Sequence, residues 1–319
     1  MVRFTSFRRQ NVRSILIALL LWLSLLGAVC FEYTADNTNR TKALGTVLPN
    51  PLHSAPISKP TSIPISSTAK VSGIISQVLD YSTGGLPIEA YSFGHGPKRV
   101  VFIGGIHGGA EWNTILLAYA AIDYFVAHPE SIPISITLQI IPSANPDGQK
   151  LVTGTGRRFK PADVRSKTKA GRFNHNGVDL NRNWDCLWRA KAVWGYEKVS
   201  GGKKPFSEKE SQILRNFLTK DSSVKGVIFW HSFAPGVFAG GCRGIYRAAE
   251  QLGEIYGKAS GYPYGRPFSS YKVTGDAVDW LATQNIPAID VELTNHTGLD
   301  WPQNFKGMIE VLKYIAQSA

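Results

Sequence analysis

Residues 100–112 have the sequence VVFIGGIHGGAEW, and the fold is decided by this stretch. The four leading apolar residues are typical of a strand buried on both faces, since such a strand has no solvent-facing side. The glycines that follow permit a sharp turn at the strand's carboxyl end, where open α/β sheets bind ligands. His107 and Glu111 lie in that turn. They are either two ligands of a catalytic zinc ion or an unrelated histidine beside a helix-capping glutamate.

The chain carries a formal net charge of +12, and half of this excess lies in its first 70 residues. Residues 1–70 contain eight Lys/Arg and two Asp/Glu, a difference of six, whereas the rest contains 27 and 21. The body has no basic run interleaved with aromatic residues. We therefore expect no nucleic-acid partner.

The amino-terminal segment, residues 1–30, has the pattern of a signal peptide or membrane anchor. Several arginines precede an apolar run from Ile15 to Val29. The run is shorter than the roughly 20 residues of a membrane-spanning helix, and both cleavage near Ala28 and an uncleaved anchor remain open. We expect an extracytoplasmic protein, secreted or tethered through residues 14–29, with no other membrane contact.

Residues 31–70 are rich in Pro, Ser, Thr and Asn, which predicts a disordered tether. From residue 71 onwards, strand-like and helical patterns alternate. This alternation predicts an α/β fold with a single mixed, mostly parallel twisted sheet and helices on both faces. A capping box formed by Ser207 and Glu210 predicts the start of one of the helices.

Four polar residues follow or end predicted strands: His107, Glu111, His231 and Glu292. Two histidines and one carboxylate leave a tetrahedral zinc ion with one open position for water. A further carboxylate that does not bind the metal is what a hydrolytic zinc site needs as a general base. Individually, each could be an ordinary core or surface residue, but their joint position at one sheet edge favours a site.

The sequence resembles the zinc metallocarboxypeptidases of the carboxypeptidase A type, and in particular their bacterial members. The most specific segment is GVDLNRNWD at residues 177–185. Supporting segments are NPDG at 145–148, HS at 231–232, Tyr271 followed by TG at 274–275 and DW at 279–280, and VEL at 291–293. The resemblance implies that residues 71–319 form a zinc carboxypeptidase-like catalytic domain.

The roles implied by this resemblance can be assigned residue by residue. One zinc ion per chain would be held by His107, Glu111 and His231, with Asp179 orienting His107. Glu292 would be the general base for the zinc-activated water. The remaining assignments are Asn181, Arg182 and Tyr271 at the substrate's terminal carboxylate, Arg172 at the scissile carbonyl with Arg158 or Lys160 as alternatives, and Val278 and Asp276 at the terminal side chain.

The sequence departs from the family pattern at one metal ligand. Three residues, rather than the usual two, separate His107 from Glu111. We expect a bulge in the loop to absorb the extra residue. Cys186 and Cys242 both flank the predicted site, and in an exported chain a disulfide between them is expected, although two free thiols remain an alternative.

The resulting prediction is an exported, monomeric zinc carboxypeptidase that acts on peptides. Val278 predicts a preference for apolar terminal residues, and Asp276 predicts that basic ones are also accepted. Alternatives are a peptidase of peptidoglycan stem peptides, with D-centre or γ-linked bonds, and a non-catalytic protein that binds cell wall or peptides. A deacylase of N-acyl amino acids would share the zinc ligands, but the segment at 177–185 argues against it.

Overall fold

The computed structural model describes residues 75–266 and 268–318. The predictions for residues 1–30 and 31–70 lie outside this range. The strands are β1 (Ile75–Tyr81), β2 (Pro87–Phe93), β3 (Lys98–Ile103), β4 (Ile136–Ile141), β5 (Lys191–Trp194), β6 (Glu197–Ser200), β7 (Val224–Ser232), β8 (Gly236–Ala239) and β9 (Ala288–Leu293). The α-helices are α1 (Trp112–Ala127), α2 (Pro146–Thr153), α3 (Lys209–Leu218), α4 (Arg247–Ser260), α5 (Ala277–Thr283) and α6 (Trp301–Gln317).

Seven strands form one mixed sheet in the order β1-β2-β4-β3-β7-β9-β8. The four central strands, β4, β3, β7 and β9, are parallel, whereas β1, β2 and β8 pair in antiparallel fashion at the two edges. The carboxyl ends of the parallel strands therefore meet at one edge of the sheet. β5 and β6 form a separate antiparallel hairpin.

Helices cover both faces of the sheet. Because successive side chains of a strand point to opposite faces, β3 contributes Val100 and Phe102 to one core and Val101 and Ile103 to the other. The first core includes side chains of α1, α4 and α6. The second includes side chains of α3, α5 and the segment around Trp184. The predicted fold class is confirmed, with the parallel pairing concentrated in the centre of the sheet.

The predicted capping box at the start of α3 is wrong. The helix begins at Lys209, with Glu208 at the N-cap position. The carboxylate of Glu210 does not fold back on its own helix, because it accepts a hydrogen bond from the backbone N–H of Thr83 at 2.8 Å. A tertiary contact to the β1–β2 turn has replaced the local one. Across the described residues, no helix is both long enough and apolar enough to cross a membrane.

Candidate active site

The predicted site residues come together at the carboxyl ends of the central strands. His231 lies in β7 and is paired in register with Glu292 of β9. Three short 3₁₀ turns, Gly108–Glu111, Lys169–Arg172 and Leu180–Arg182, supply Glu111, Arg172, Asn181 and Arg182. These side chains line one cavity of about 530 Å³. The site is therefore built from two strands, three tight turns and the segment from Tyr271 to Val278.

The centre of the site is formed by His107, Glu111 and His231, all three buried. Nδ1 of His107 lies 2.7 Å from Oε1 of Glu111, and Nδ1 of His231 lies 3.3 Å from Oε2 of the same carboxylate. The two Nδ1 atoms are 3.2 Å apart. One atom from each residue lies within 4.8 Å of the others. Two ring nitrogens and a carboxylate thus converge on one point.

Each of the two histidines has a carboxylate beside its other ring nitrogen. Nε2 of His107 lies 3.4 Å from Oδ1 of Asp179, and Nε2 of His231 lies 3.2 Å from Oδ1 of Asp290. Neither contact is well aligned as a hydrogen bond. Such carboxylates favour the tautomer with its proton on Nε2, which leaves the Nδ1 lone pair free for a metal. Asp179 was predicted in this role, whereas Asp290 was not.

These residues fit a zinc ion. When both ring protons are on Nε2, the two Nδ1 lone pairs 3.2 Å apart repel each other, and a cation bound by both relieves this repulsion. The electrostatics point the same way. Burial alone would lower the pKa of His231, but Asp290 and Glu111 outweigh it and raise that pKa well above its usual range. Burial alone would raise the pKa of Glu111, but His107 and His231 hold it well below its usual range. The centre therefore favours positive charge.

The extra residue between His107 and Glu111 is absorbed by the 3₁₀ turn Gly108–Glu111. Gly108 has a φ of +46°, a conformation that glycine adopts readily. A Cβ atom at this position would lie 2.6 Å from the carbonyl oxygen of Gly171 and 2.9 Å from the backbone nitrogen of Gln149. Glycine is therefore required here, and the turn keeps the Glu111 carboxylate against His107.

Arg172 is buried in the wall of the cavity. Its Nε donates to Oδ2 of Asp179 at 2.8 Å, and its Nη1 donates to Oε1 of Glu111 at 3.3 Å. The NPDG segment holds its backbone, because the side-chain amide of Asn145 donates to the carbonyl of Arg172. Arg158 is paired instead with Asp123 on the surface. Neither Arg158 nor Lys160 lines the cavity.

Arg182 and Tyr271 lie together in the cavity wall. Nη2 of Arg182 donates to the hydroxyl of Tyr271 at 3.3 Å. Burial alone would lower the pKa of Arg182, but Asp179, Tyr271 and Asp276 raise it, so the guanidinium stays charged. Asn181 is nearby, with its side-chain amide donating to Oδ2 of Asp276 at 2.9 Å. A buried guanidinium beside a phenol suits a small anion such as a terminal carboxylate.

Glu292 lies beside the metal centre without a hydrogen-bond partner for its Oε2 among the described residues. Burial raises its pKa to about 8. The charges of Glu111 and Asp290 add to this rise, whereas His231 opposes it. A carboxyl group with a raised pKa, in contact with the cavity, has the properties of a general acid or base.

Part of the cavity wall is formed by Val278 and three aspartates, Asp276, Asp279 and Asp290. Asp276 is buried and caps α5, accepting a hydrogen bond from the backbone N–H of Val278 at 2.9 Å. Burial and the neighbouring charges of Asp290 and Asp279 raise its pKa well above the usual range. This wall therefore places three carboxyl groups around one apolar side chain.

Cys186 and Cys242 form the expected disulfide, with a Cα–Cα distance of 5.6 Å. The bond joins the segment that follows residues 177–185 to the loop after β8. Gly241, the residue before Cys242, lines the cavity.

Two features of the site were missed in the sequence. Asp290 precedes Glu292 by two residues in one strand, so period-two alternation places both on the same face. This alternation is visible in the sequence and could have identified Asp290 as a site residue. The other feature is Trp194 in the hairpin β5–β6, whose ring lies over Arg172.

A fold of this type, with a buried His-Glu-His centre at its sheet edge, defines a metallohydrolase. Residues 62–239 match the model of the Peptidase M14 family, described as zinc carboxypeptidase. The match covers more than half of the 319 residues, so the chain belongs to this family. The matched segment contains the three metal-site residues and ends before Tyr271 and Glu292.

Two relatives illustrate the range of similar proteins. The γ-D-glutamyl-L-diamino acid endopeptidase 1 of Lysinibacillus sphaericus is 24% identical over 239 residues, covering 66% of this chain and 58% of the relative. Carboxypeptidase A2 of Rattus norvegicus is 28% identical over 235 residues, covering 65% of this chain and 54% of the relative. The chain spans about half the length of the curated relatives that it matches.

Solved structures share the fold. Carboxypeptidase A from Helicoverpa armigera has a TM-score of 0.60 at 20% identity, covering 78% of this chain and 70% of that chain. The murein-tripeptide amidase MpaA from Escherichia coli O157 has a TM-score of 0.54 at 20% identity, covering 79% of this chain and 97% of that chain. These similarities establish the fold alone.

Proposed function

We propose that this protein is an exported zinc-dependent metallocarboxypeptidase that hydrolyses the C-terminal peptide bond of peptides. The observation that carries this proposal is the convergence of the His107, Glu111 and His231 centre with Arg172 and Glu292 in one cavity. A zinc ion held by the three residues would supply a water of lowered pKa and polarise a carbonyl. A non-catalytic binding protein would have no need of both the metal ligands and the additional carboxylate.

The chain's own residues would bind the substrate and move the proton. Arg182 and Tyr271 would receive the terminal carboxylate, since a guanidinium donates to both carboxylate oxygens. Arg172, fixed by Asp179 and Glu111, would donate to the scissile carbonyl as negative charge develops on its oxygen. Glu292 would take a proton from the attacking water and then deliver it to the leaving amine.

The wall formed by Val278 and the three aspartates would receive the terminal side chain. Val278 offers an apolar contact, and a side chain that ends in an ammonium or guanidinium group would relieve the repulsion among the carboxylates. We propose that both apolar and basic terminal residues are accepted. Among them, a long basic side chain places its methylenes on Val278 and its charge near the aspartates.

Export is the second part of the proposal. Its support comes from the arginines and the apolar run in residues 1–30. The disulfide between Cys186 and Cys242 agrees with it, because such bonds persist in oxidising compartments.

Hydrolysis of peptidoglycan stem peptides is the second candidate function. The acidic wall favours it, because a diamino acid at the terminal position would carry an amino group toward the aspartates. Two proteins similar to this chain are described as a γ-D-glutamyl-L-diamino acid endopeptidase and a murein-tripeptide amidase.

A release assay on a substrate panel tests the two candidates. The panel contains blocked dipeptides with Phe, Leu, Lys or Arg at the C-terminus, the same dipeptides as amides, and muropeptides with and without diaminopimelate. The carboxypeptidase proposal predicts that the free dipeptides are hydrolysed and that the amides are poor substrates. Cleavage confined to the muropeptides would favour the second candidate. Equal cleavage of free and amidated peptides would contradict the proposal.

A further inference from the structure

The hairpin β5–β6 is attached to the active site along its length. At its base, the backbone N–H of Asp179 donates to the carbonyl of Ser200 at 2.9 Å. Further out, Nζ of Lys169 lies 2.6 Å from Oε1 of Glu197. Asp179 and Lys169 belong to the two segments that carry Arg182 and Arg172. The hairpin is therefore fixed to the same turns that supply the two arginines.

Two consecutive residues of β5 contact these two arginines. The ring of Trp194 lies over the guanidinium of Arg172, with a distance of 4.4 Å from Cζ to the ring centroid. The carbonyl of Val193 accepts a hydrogen bond from Nε of Arg182 at 3.0 Å. One short strand thus touches both the arginine assigned to the scissile carbonyl and the one assigned to the terminal carboxylate.

The contact with Trp194 restrains the remaining freedom of Arg172. The guanidinium is held at two of its nitrogen atoms, by Asp179 through Nε and by Glu111 through Nη1. Two hydrogen bonds in the guanidinium plane still permit that plane to tilt about the line that joins them. The Trp194 ring lies against one face of the guanidinium plane and opposes that tilt. The electron-rich face of the ring also attracts the positive charge of the guanidinium. The hydrogen bonds to described residues do not use Nη2, which leaves it free for a ligand.

We propose that Trp194 is a positioning residue that holds the Arg172 guanidinium in the plane from which it donates to the scissile carbonyl. This inference rests on the proposed function for its catalytic consequence. The alternative is that Trp194, which also lines the cavity, acts by contacting the substrate directly. The two roles can be distinguished by measurement. If Trp194 acts by positioning Arg172, its replacement affects catalysis only when Arg172 is present, whereas a direct contact with substrate does not depend on Arg172.

The structural part can be tested without any substrate, by NMR of the zinc-loaded protein. The Nε–H signal of Arg172, assigned by its loss in Arg172→Lys, is expected to be shifted upfield by the ring current of Trp194 and to exchange slowly. In Trp194→Leu, which keeps an apolar side chain but removes the ring, the upfield shift should disappear and exchange should become at least about fivefold faster. An unchanged signal in Trp194→Leu would overturn the proposal, whatever the protein hydrolyses.

The catalytic part is tested with kcat and KM on a substrate that the native protein cleaves. Trp194→Leu should lower kcat roughly tenfold, with KM changed less than about twofold, because Trp194 is half-buried and its cation–π contact should lie between the exposed and the fully desolvated magnitudes. Trp194→Phe keeps a ring and should recover kcat to within about threefold of the native value. Tyr196→Ala is the matched control, since Tyr196 is fully exposed at the tip of the same hairpin.

A double-mutant comparison separates positioning from substrate contact. In an Arg172→Ala background, Trp194→Leu should lower kcat by no more than about twofold, because the group that it positions is gone. A full tenfold loss in that background, or a loss expressed mainly in KM, would overturn the proposal. Zinc content and thermal midpoint are measured for every variant. If Trp194→Leu does not fold, Trp194→Phe is used in the same comparison, and its smaller loss should likewise vanish with Arg172→Ala.

Discussion

Nδ1 of His107 and Nδ1 of His231 lie 3.2 Å apart across 124 residues of sequence. Parallel pairing of β3 with β7 brings the two strands side by side, and each strand delivers its histidine at or just beyond its carboxyl end. The carboxylate of Glu111 contacts both rings. The geometry of the candidate metal site is therefore a direct consequence of the sheet topology.

We predict that Asp290→Asn and Asp179→Asn each weaken zinc binding by about 10- to 100-fold. Each removes the carboxylate beside Nε2 of one metal-site histidine, so the tautomer with a free Nδ1 is less favoured. Competition with a chromophoric chelator measures the affinity. Asp123→Asn is the control, because it removes only a surface partner of Arg158. Native affinity in Asp290→Asn would show that His231 does not depend on that carboxylate.

Replacing Glu292 with glutamine should leave zinc content unchanged and lower kcat by about 10²- to 10⁴-fold. Glutamine has nearly the same shape but cannot accept the proton. Glu310→Gln is the matched surface control, since Glu310 pairs only with Lys313 on the exposed face of α6. A Glu292→Gln variant with near-native kcat would remove this residue from the mechanism.

The pH dependence of kcat/KM should show an acidic limb that belongs to Glu292. The carboxyl group must be deprotonated to act as a base, so activity rises as pH rises through its pKa. Burial raises that pKa to about 8, and a bound zinc ion lowers it because a nearby cation favours the charged form. We therefore expect the limb between the ordinary value of 4.5 and about 8. A limb centred below 4.5 would contradict this assignment.

The sequence predicted the position of a site residue correctly where that residue ends or directly follows a recognisable strand. The apolar run before His107 and the strand that ends at His231 were both recognisable, because a buried parallel strand has a distinctive local pattern. It was misleading at Glu210, whose partner Thr83 lies 127 residues away and displaces the local capping bond. Trp194 was missed, although the glycine that follows it is typical of a tight hairpin turn. In the structure Gly195 has a φ of +57° and forms that turn. Arg172 was predicted from the sequence, but its contact with Trp194 could be found only from the fold.

Asp276→Asn should reduce kcat/KM for peptides ending in Lys or Arg more than for those ending in Phe or Leu. The side-chain amide still fills the space near Asn181 but no longer attracts a cation. Asp276 also caps α5, and because asparagine caps a helix about as well as aspartate, thermal unfolding should show native-like stability. Equal losses for the two substrate groups would exclude Asp276 from the recognition of basic side chains.

Zinc titration of the chelator-treated protein tests the central claim most directly. The account predicts no hydrolysis in the metal-free protein and activity that rises linearly with added zinc until one equivalent per chain is bound. His107→Ala and His231→Ala variants should not recover activity at one equivalent. Full hydrolytic activity in a preparation verified to be metal-free, or native recovery in either histidine variant, would contradict the assignment of this site.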